Sequence, residues 1–199
     1  MEARAEKFYT YEDYCKFTDE KRREVINGVI YAMTTPADEH QAVLVNLVFE
    51  FKGYLQGKKC VVRAAPYDVR LPKKGETKVT ASTVVQPDIV IICDKNKIDR
   101  RGCFGAPDLV VEILSPSSGG TDRIKKFNLY QEHGVIEYWI VDAYNQTVDK
   151  FTLDKDTGKY TRAETFSRED AISPTIFPDL TIKLEEVFPP LDEYENDER

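Results

Sequence analysis

Two runs of the chain are apolar almost without interruption. One is Val84-Val85-Gln86-Pro87-Asp88-Ile89-Val90-Ile91-Ile92 and the other is Leu109-Val110-Val111-Glu112-Ile113-Leu114. Both are rich in β-branched residues, the pattern of strands covered on both faces. Around them the pattern predicts further elements. Thr10, with Asp13 behind it, caps a short helix. Arg22–Ile26 and Val29–Met33 flank Asn27-Gly28, a pair suited to the type I′ turn of a hairpin. Asp38 and Gln41 resemble a capping box. The helix behind them carries Val43, Leu44, Leu47, Val48, Phe51 and Leu55 on one face and ends at Gly57. Cys60–Leu71 reads as a strand, 72–83 as a polar loop and Asp94–Arg101 as a charged loop. Residues 117–121 form a turn into a helix, Asp122–His133, which Gly134 stops. Val135–Val141 is the next strand. A hairpin over Thr147–Leu153 and Lys159–Thr165 and a last strand at Leu180–Leu184 follow. The central order is helix, three strands, helix, strand, which describes an α/β protein with a mixed sheet flanked by helices.

Composition narrows this picture. A chain of 199 residues with 41% hydrophobic content suits one domain over residues 1–190, followed by an acidic tail at 191–199. No stretch approaches the roughly 18 apolar residues of a membrane span. The first residues hold no apolar segment of the signal-peptide kind, which predicts the cytoplasm. Cys15, Cys60, Cys93 and Cys103 lack CxxC spacing, so buried free thiols are expected rather than a zinc site or disulfides. The net charge is −7, and −3 without the tail. That balance is the wrong sign for a general nucleic-acid binder. Local basic groups, such as Lys95, Lys97, Arg100 and Arg101, still allow a basic rim.

The chemistry begins with the two acids inside the apolar runs. An ionised carboxylate costs several kcal/mol in such a place unless a cation or hydrogen bonds offset it. A cation shared by Asp88 and Glu112 would do so if their strands are neighbours. Pro87 cannot donate to a ladder, so the chain beside Asp88 is expected to be irregular. Asp108 has the same strand parity as Glu112 but lies roughly 13 Å away along the strand, too far to share one ion with it. On the following helix Asp122, Lys126 and Tyr130 are spaced by four and share a side. The bland alternatives are an ion pair for each acid and a solvated helix face for the lysine.

These residues, in order, resemble the PD-(D/E)XK superfamily of restriction-endonuclease-like nucleases. Longer segments are similar to its Uma-two branch of bacterial endonucleases: Val25–Gly28, Glu39–Gln41, Val85–Ile89, 106–117, Asp122-Arg123 with Lys126 and Tyr130, and Gly134–Asp142. The resemblance implies an αβββαβ core with additional N-terminal and C-terminal β-hairpins. It also implies Mg²⁺ or Mn²⁺ held by Asp88, Glu112 and the backbone carbonyl of Ile113. Where the parent motif has its lysine this chain has Leu114, and Lys126 from the helix takes that role. Glu24 and His40 would line the site, with Asp122 and Tyr130 in support. The implied activity is metal-dependent hydrolysis of nucleic acid, DNA more than RNA, by a homodimer. The alternative is a non-catalytic nucleic-acid- or protein-binding member of the same fold. A glycosidase-like carboxylate pair is disfavoured because the single tryptophan, Trp139, lies in an apolar strand. Ser or Cys nucleophiles have only His40 and His133 to serve them.

Overall fold

The two apolar runs become neighbouring strands because each can bury both of its faces only at the centre of a sheet. The computed structural model describes residues 7–19, 21–114 and 120–190, the side chains of 120–122 excepted. The elements are, in order, α1 (Tyr11–Tyr14), β1 (Arg23–Ile26), β2 (Val29–Ala32), α2 (Asp38–Tyr54), β3 (Val61–Ala64), β4 (Val69–Arg70), β5 (Val84–Val85) and β6 (Ile89–Ile92). A single 3₁₀ turn at Lys95–Lys97 precedes β7 (Ile98–Asp99), β8 (Gly102–Phe104), β9 (Leu109–Leu114), α3 (Gly120–His133) and β10 (Glu137–Asp142). The chain continues through β11 (Thr147–Asp154), β12 (Lys159–Tyr160), β13 (Glu164–Ser167), β14 (Ala171–Ile172), β15 (Ile182–Lys183) and α4 (Leu184–Val187).

The main sheet runs β12-β11-β10-β9-β6-β3, with β13 also on β11. Within it β3, β6 and β9 are antiparallel neighbours. β10 lies parallel to β9 after the α3 crossover. With α2 in front this is the expected αβββαβ order, a mixed α/β architecture. A second sheet has the order β2-β1-β5-β4-β8-β7.

Strand alternation sorts the core. Ile89, Ile91, Leu109, Val111, Ile113 and Trp139 face α2, where Val43, Leu44, Leu47 and Phe51 cover them. Val90, Ile92, Val110, Tyr138 and Ile140 face the other way, onto Leu129 and Tyr130 of α3 and onto Ile26, Val69 and Val85 of the second sheet. Each fully buried aliphatic or aromatic side chain contributes about 1.5–3 kcal/mol. The sequence placed Trp139 in the core, and it lies there, with its indole N–H on the Glu137 carboxylate at 2.7 Å.

Several local expectations hold. Asn27 and Gly28 both take positive φ, 51° and 79°, as the I′ turn requires. The Thr10 amide and hydroxyl both donate to Asp13. Others are corrected. The α2 N-cap is Ala37, so Asp38 is the first helical residue rather than the cap. The strand read over Cys60–Leu71 is two strands in different sheets, divided at the cis Ala65-Pro66 bond. The run at Val84–Ile92 likewise splits, β5 joining the second sheet and β6 the main one, because Pro87 has no N–H for a ladder. The charged loop at Asp94–Arg101 holds the 3₁₀ turn and β7. The free-thiol expectation fails for two cysteines: Cys60 and Cys93 form a disulfide joining the ends of β3 and β6. Continuing the Val61–Ile92 register by one pair sets them opposite each other, with Cα atoms 3.9 Å apart. Only pairing across strands, which no sequence spacing announces, brings them together. Cys103 is a buried free thiol and Cys15 an exposed one. Residues 117–119 of the expected turn and the tail at 191–199 lie outside the described residues. Among the described residues no helix is long and apolar enough to cross a membrane.

Candidate active site

Ile89 stands opposite Val111 in the β6–β9 ladder. One step further brings Asp88 and Glu112 opposite each other, on the face that carries Val90 and Val110. Asp88 sits just before β6, where Pro87 has interrupted the strand. Its carbonyl accepts from the Ala65 amide at 3.0 Å. Its carboxylate Oδ2 accepts from the Ile113 amide at 2.8 Å and lies 3.2 Å from His40 Nε2. The irregularity that Pro87 creates is therefore filled by the acid itself, whose side chain serves an amide of the neighbouring strand.

Glu112 is the fourth residue of β9. Its Oε1 accepts from the Tyr130 hydroxyl at 2.5 Å and from Lys126 Nζ at 3.0 Å. Lys126 and Tyr130 are one helical turn apart on α3, so both reach the same oxygen. Lys126 Nζ lies also 3.2 Å from Glu24 Oε1. Glu24 is fixed in turn by the Gln86 amide at 2.8 Å. The residue before β6, strand β9, the hairpin β1–β2 and helix α2 thus each bring one member to one place, and α3 brings two.

One cation among several acids sets the electrostatics. Burial, then Asp88 and Glu24, push the Glu112 carboxyl up to about 7, against the pull of Lys126 and the Tyr130 hydrogen bond. Burial acts to strip Lys126 of its proton, but Glu112 and Glu24, with Asp88 beyond them, outweigh it and hold its pKa well above the ordinary value. The two shifts have one origin. The lysine faces three acids and keeps its charge; Glu112 shares that one cation and is held less ionised than usual. Burial and the same glutamate push the Tyr130 hydroxyl well above its ordinary range, so it stays a donor.

These groups open onto a recess of about 220 Å³ lined by Glu24, His40, Asp88, Glu112, Ile113 and Lys126. Six of the eight residues singled out from sequence therefore meet at one surface. Tyr130 lies beneath it, fully buried. The Asp122 side chain is outside the described residues. Asp108, set aside by its distance along the strand, serves instead as acceptor for the Cys93 amide at 2.7 Å. Sequence reasoning missed Gln86. Its amide holds Glu24, and its side chain bonds Asp68 and Tyr14 at 2.9 and 3.1 Å. The one available signal was its place beside Pro87-Asp88. Among the described residues no group of three or more His, Cys, Asp and Glu side chains is arranged to hold a metal ion. Any ion here would rest on two carboxylates, backbone oxygen and water.

The fold is shared with a solved structure. The crystal structure of a putative nuclease belonging to DUF820, from Anabaena variabilis, superposes with a TM-score of 0.71, covering 90% of this chain and 97% of that one. At 19% identity the likeness is one of fold. The family follows from sequence: the model of Uma2, described as a putative restriction endonuclease, matches residues 6–185, and the chain belongs to that family. An uncharacterized protein of Synechocystis sp., slr1290, is 27% identical over 148 residues, 73% of this chain and 74% of that protein.

Proposed function

We propose that the recess hydrolyses phosphodiester bonds of nucleic acid, DNA in preference to RNA, with one Mg²⁺ or Mn²⁺ ion held by Asp88, Glu112 and the Ile113 carbonyl. The observation that carries this is the meeting of two opposed strand carboxylates with a helix lysine in a recess where acids outnumber cations. Two carboxylates and a carbonyl form an all-oxygen donor set, and the places they leave open suit an ion that keeps several waters. Held there, such an ion would supply polarisation of a phosphoryl oxygen and a bound water of lowered pKa.

The chain's own groups divide the remaining work. Among the described residues, both hydrogen bonds to Glu112 fall on Oε1, which leaves Oε2 for the ion. The Ile113 amide and His40 hold Asp88 by Oδ2, which leaves Oδ1. Lys126 keeps its proton, so it acts as a donor and positive charge rather than as a base, and offsets charge building on the phosphate. Glu24 positions Lys126, and Gln86 positions Glu24. The family's description as a restriction endonuclease supports DNA as the substrate.

One observation favours the competing non-catalytic reading: Lys126 is already paired with Glu24 and Glu112. Calorimetric titration with Mn²⁺ tests the proposed donor set. The wild-type chain should bind one ion, and Asp88→Ala and Glu112→Ala should each weaken it at least about tenfold. Unchanged binding in both variants removes the site. Binding without cleavage of any DNA or RNA favours the non-catalytic reading.

A further inference from the structure

The hairpin β1–β2 carries more of the recess than Glu24. Arg22 extends β1 by one residue, because the Met33 amide donates to its carbonyl at 3.1 Å. Within the hairpin Glu24 stands opposite Tyr31 and Arg23 opposite Ala32. The next pair outward is Arg22 with Met33. Alternation puts Arg22, Glu24, Tyr31 and Met33 on one face, and all four line the recess. Arg23 points the other way, pairing with Asp19 and covering the Phe17 ring. Arg22, Met33 and Thr34 also line a second cavity of about 450 Å³, with Lys21 on its wall. The two cavities share Arg22, Ala32, Met33, Thr34 and Pro36 as lining, so Arg22 borders both.

Arg22 is also a cation with capacity to spare. It is exposed, and one guanidinium nitrogen donates to Gln86 Oε1 at 3.3 Å. Among the described residues no carboxylate lies within ion-pair distance of it. Two neighbouring cations differ: Arg23 is paired with Asp19, and Lys126 with Glu24 and Glu112. Two residues of strand separate Arg22 from Glu24, about 7 Å. The guanidinium thus stands one pleat repeat outward from the residue that holds Lys126. Lys125, over the Tyr31 ring at 4.4 Å, adds positive charge on the same wall. In a chain of net charge −7, this wall sets positive charge with no ion-pair partner among the described residues beside an acidic recess.

We propose that Arg22 binds the backbone phosphate next to the one at Lys126, so that the hairpin face of β1–β2 tracks a nucleic-acid strand leading out of the recess. This rests on the nuclease reading above. A planar guanidinium with free donors suits a phosphate better than an ammonium does, and the Gln86 bond presets its direction.

The test is the salt dependence of binding to a fluorescein-labelled 12-nucleotide DNA strand, read by anisotropy with Ca²⁺ as the divalent ion. Losing one phosphate contact lowers the slope of log K against log salt by about 0.7. Arg22→Gln should show that smaller slope and bind about tenfold more weakly at low salt. Arg22→Lys should keep the slope. Arg162→Gln, an exposed arginine remote in sequence from the hairpin, should match the wild type in both respects. An Arg22→Gln slope equal to that of the wild type overturns the assignment while leaving the nuclease reading standing. An equal loss in Arg162→Gln overturns it too, by showing that any surface charge suffices. Failure of the wild-type chain to bind any strand fails the nuclease reading itself and the assignment with it.

Discussion

Glu112→Gln should change how the stability of the chain depends on pH, and by an amount the site defines. Glu112 is 8% exposed, and its carboxyl is raised from an ordinary 4.5 to about 7. Between those values the folded chain holds a proton that the unfolded chain has lost. The contribution of this group to stability therefore falls as pH rises from about 4.5 to about 7 and is level above. A displacement of that size is worth about 3 kcal/mol. Lys126 is raised in the folded chain, so its stabilising contribution is present throughout this window and is lost only at high pH. Glutamine keeps the shape of the protonated acid and cannot ionise. Urea unfolding of both proteins in EDTA at pH 4.5, 5.5, 6.5 and 7.5 measures the difference. Glu112→Gln should gain about 3 kcal/mol on the wild type across the series. Parallel stability curves would refute the view that burial and neighbouring acids hold Glu112 back from ionising.

Other perturbations have outcomes of similar definition. Lys126→Met leaves Glu24, Asp88 and Glu112 without their shared cation; it should cost about 3–5 kcal/mol at pH 8 and clearly less at pH 5, by urea unfolding. Replacing Cys60 and Cys93 together by serine should lower stability by about 3–4 kcal/mol, from the loop entropy of a separation of 33 residues, and the difference should vanish when the wild type is reduced. Gly102 has φ 121°, and a Cβ there would collide with the Asp68 carbonyl, so Gly102→Ala should cost at least about 2 kcal/mol and lower the melting temperature by several degrees.

What the sequence made legible was what strand physics enforces locally. Continuous β-branched runs have one good place, the centre of a sheet, and the rise per residue along a strand separated Glu112 from Asp108 with no knowledge of the fold. The Asn27-Gly28 turn and the stop at Gly134 are chemistry of single residues, and both stand where expected. Apolar pattern alone could not show which sheet a strand joins. Val84-Val85 and Ile89–Ile92 read as one run because both are buried, although Pro87 sends them to different sheets. The Cys60–Cys93 bond and the Gln86 amide on Glu24 are consequences of register between strands distant in sequence, which spacing along the chain does not encode. Glu24 and His40 were named by resemblance alone. Their positions against Lys126 and Asp88 follow from where β1 and α2 pack.

The proposed function requires Asp88 and Glu112 to hold one divalent ion together for phosphodiester cleavage. Its most direct test is single-turnover cleavage of end-labelled DNA strands, duplexes and RNA in Mg²⁺ or Mn²⁺, comparing the wild type with the Asp88→Asn, Glu112→Gln double variant at pH 8. Cleavage by the wild type that EDTA abolishes is expected, with a loss of at least about a thousandfold in the double variant. Cleavage at an undiminished rate without both acids would contradict it.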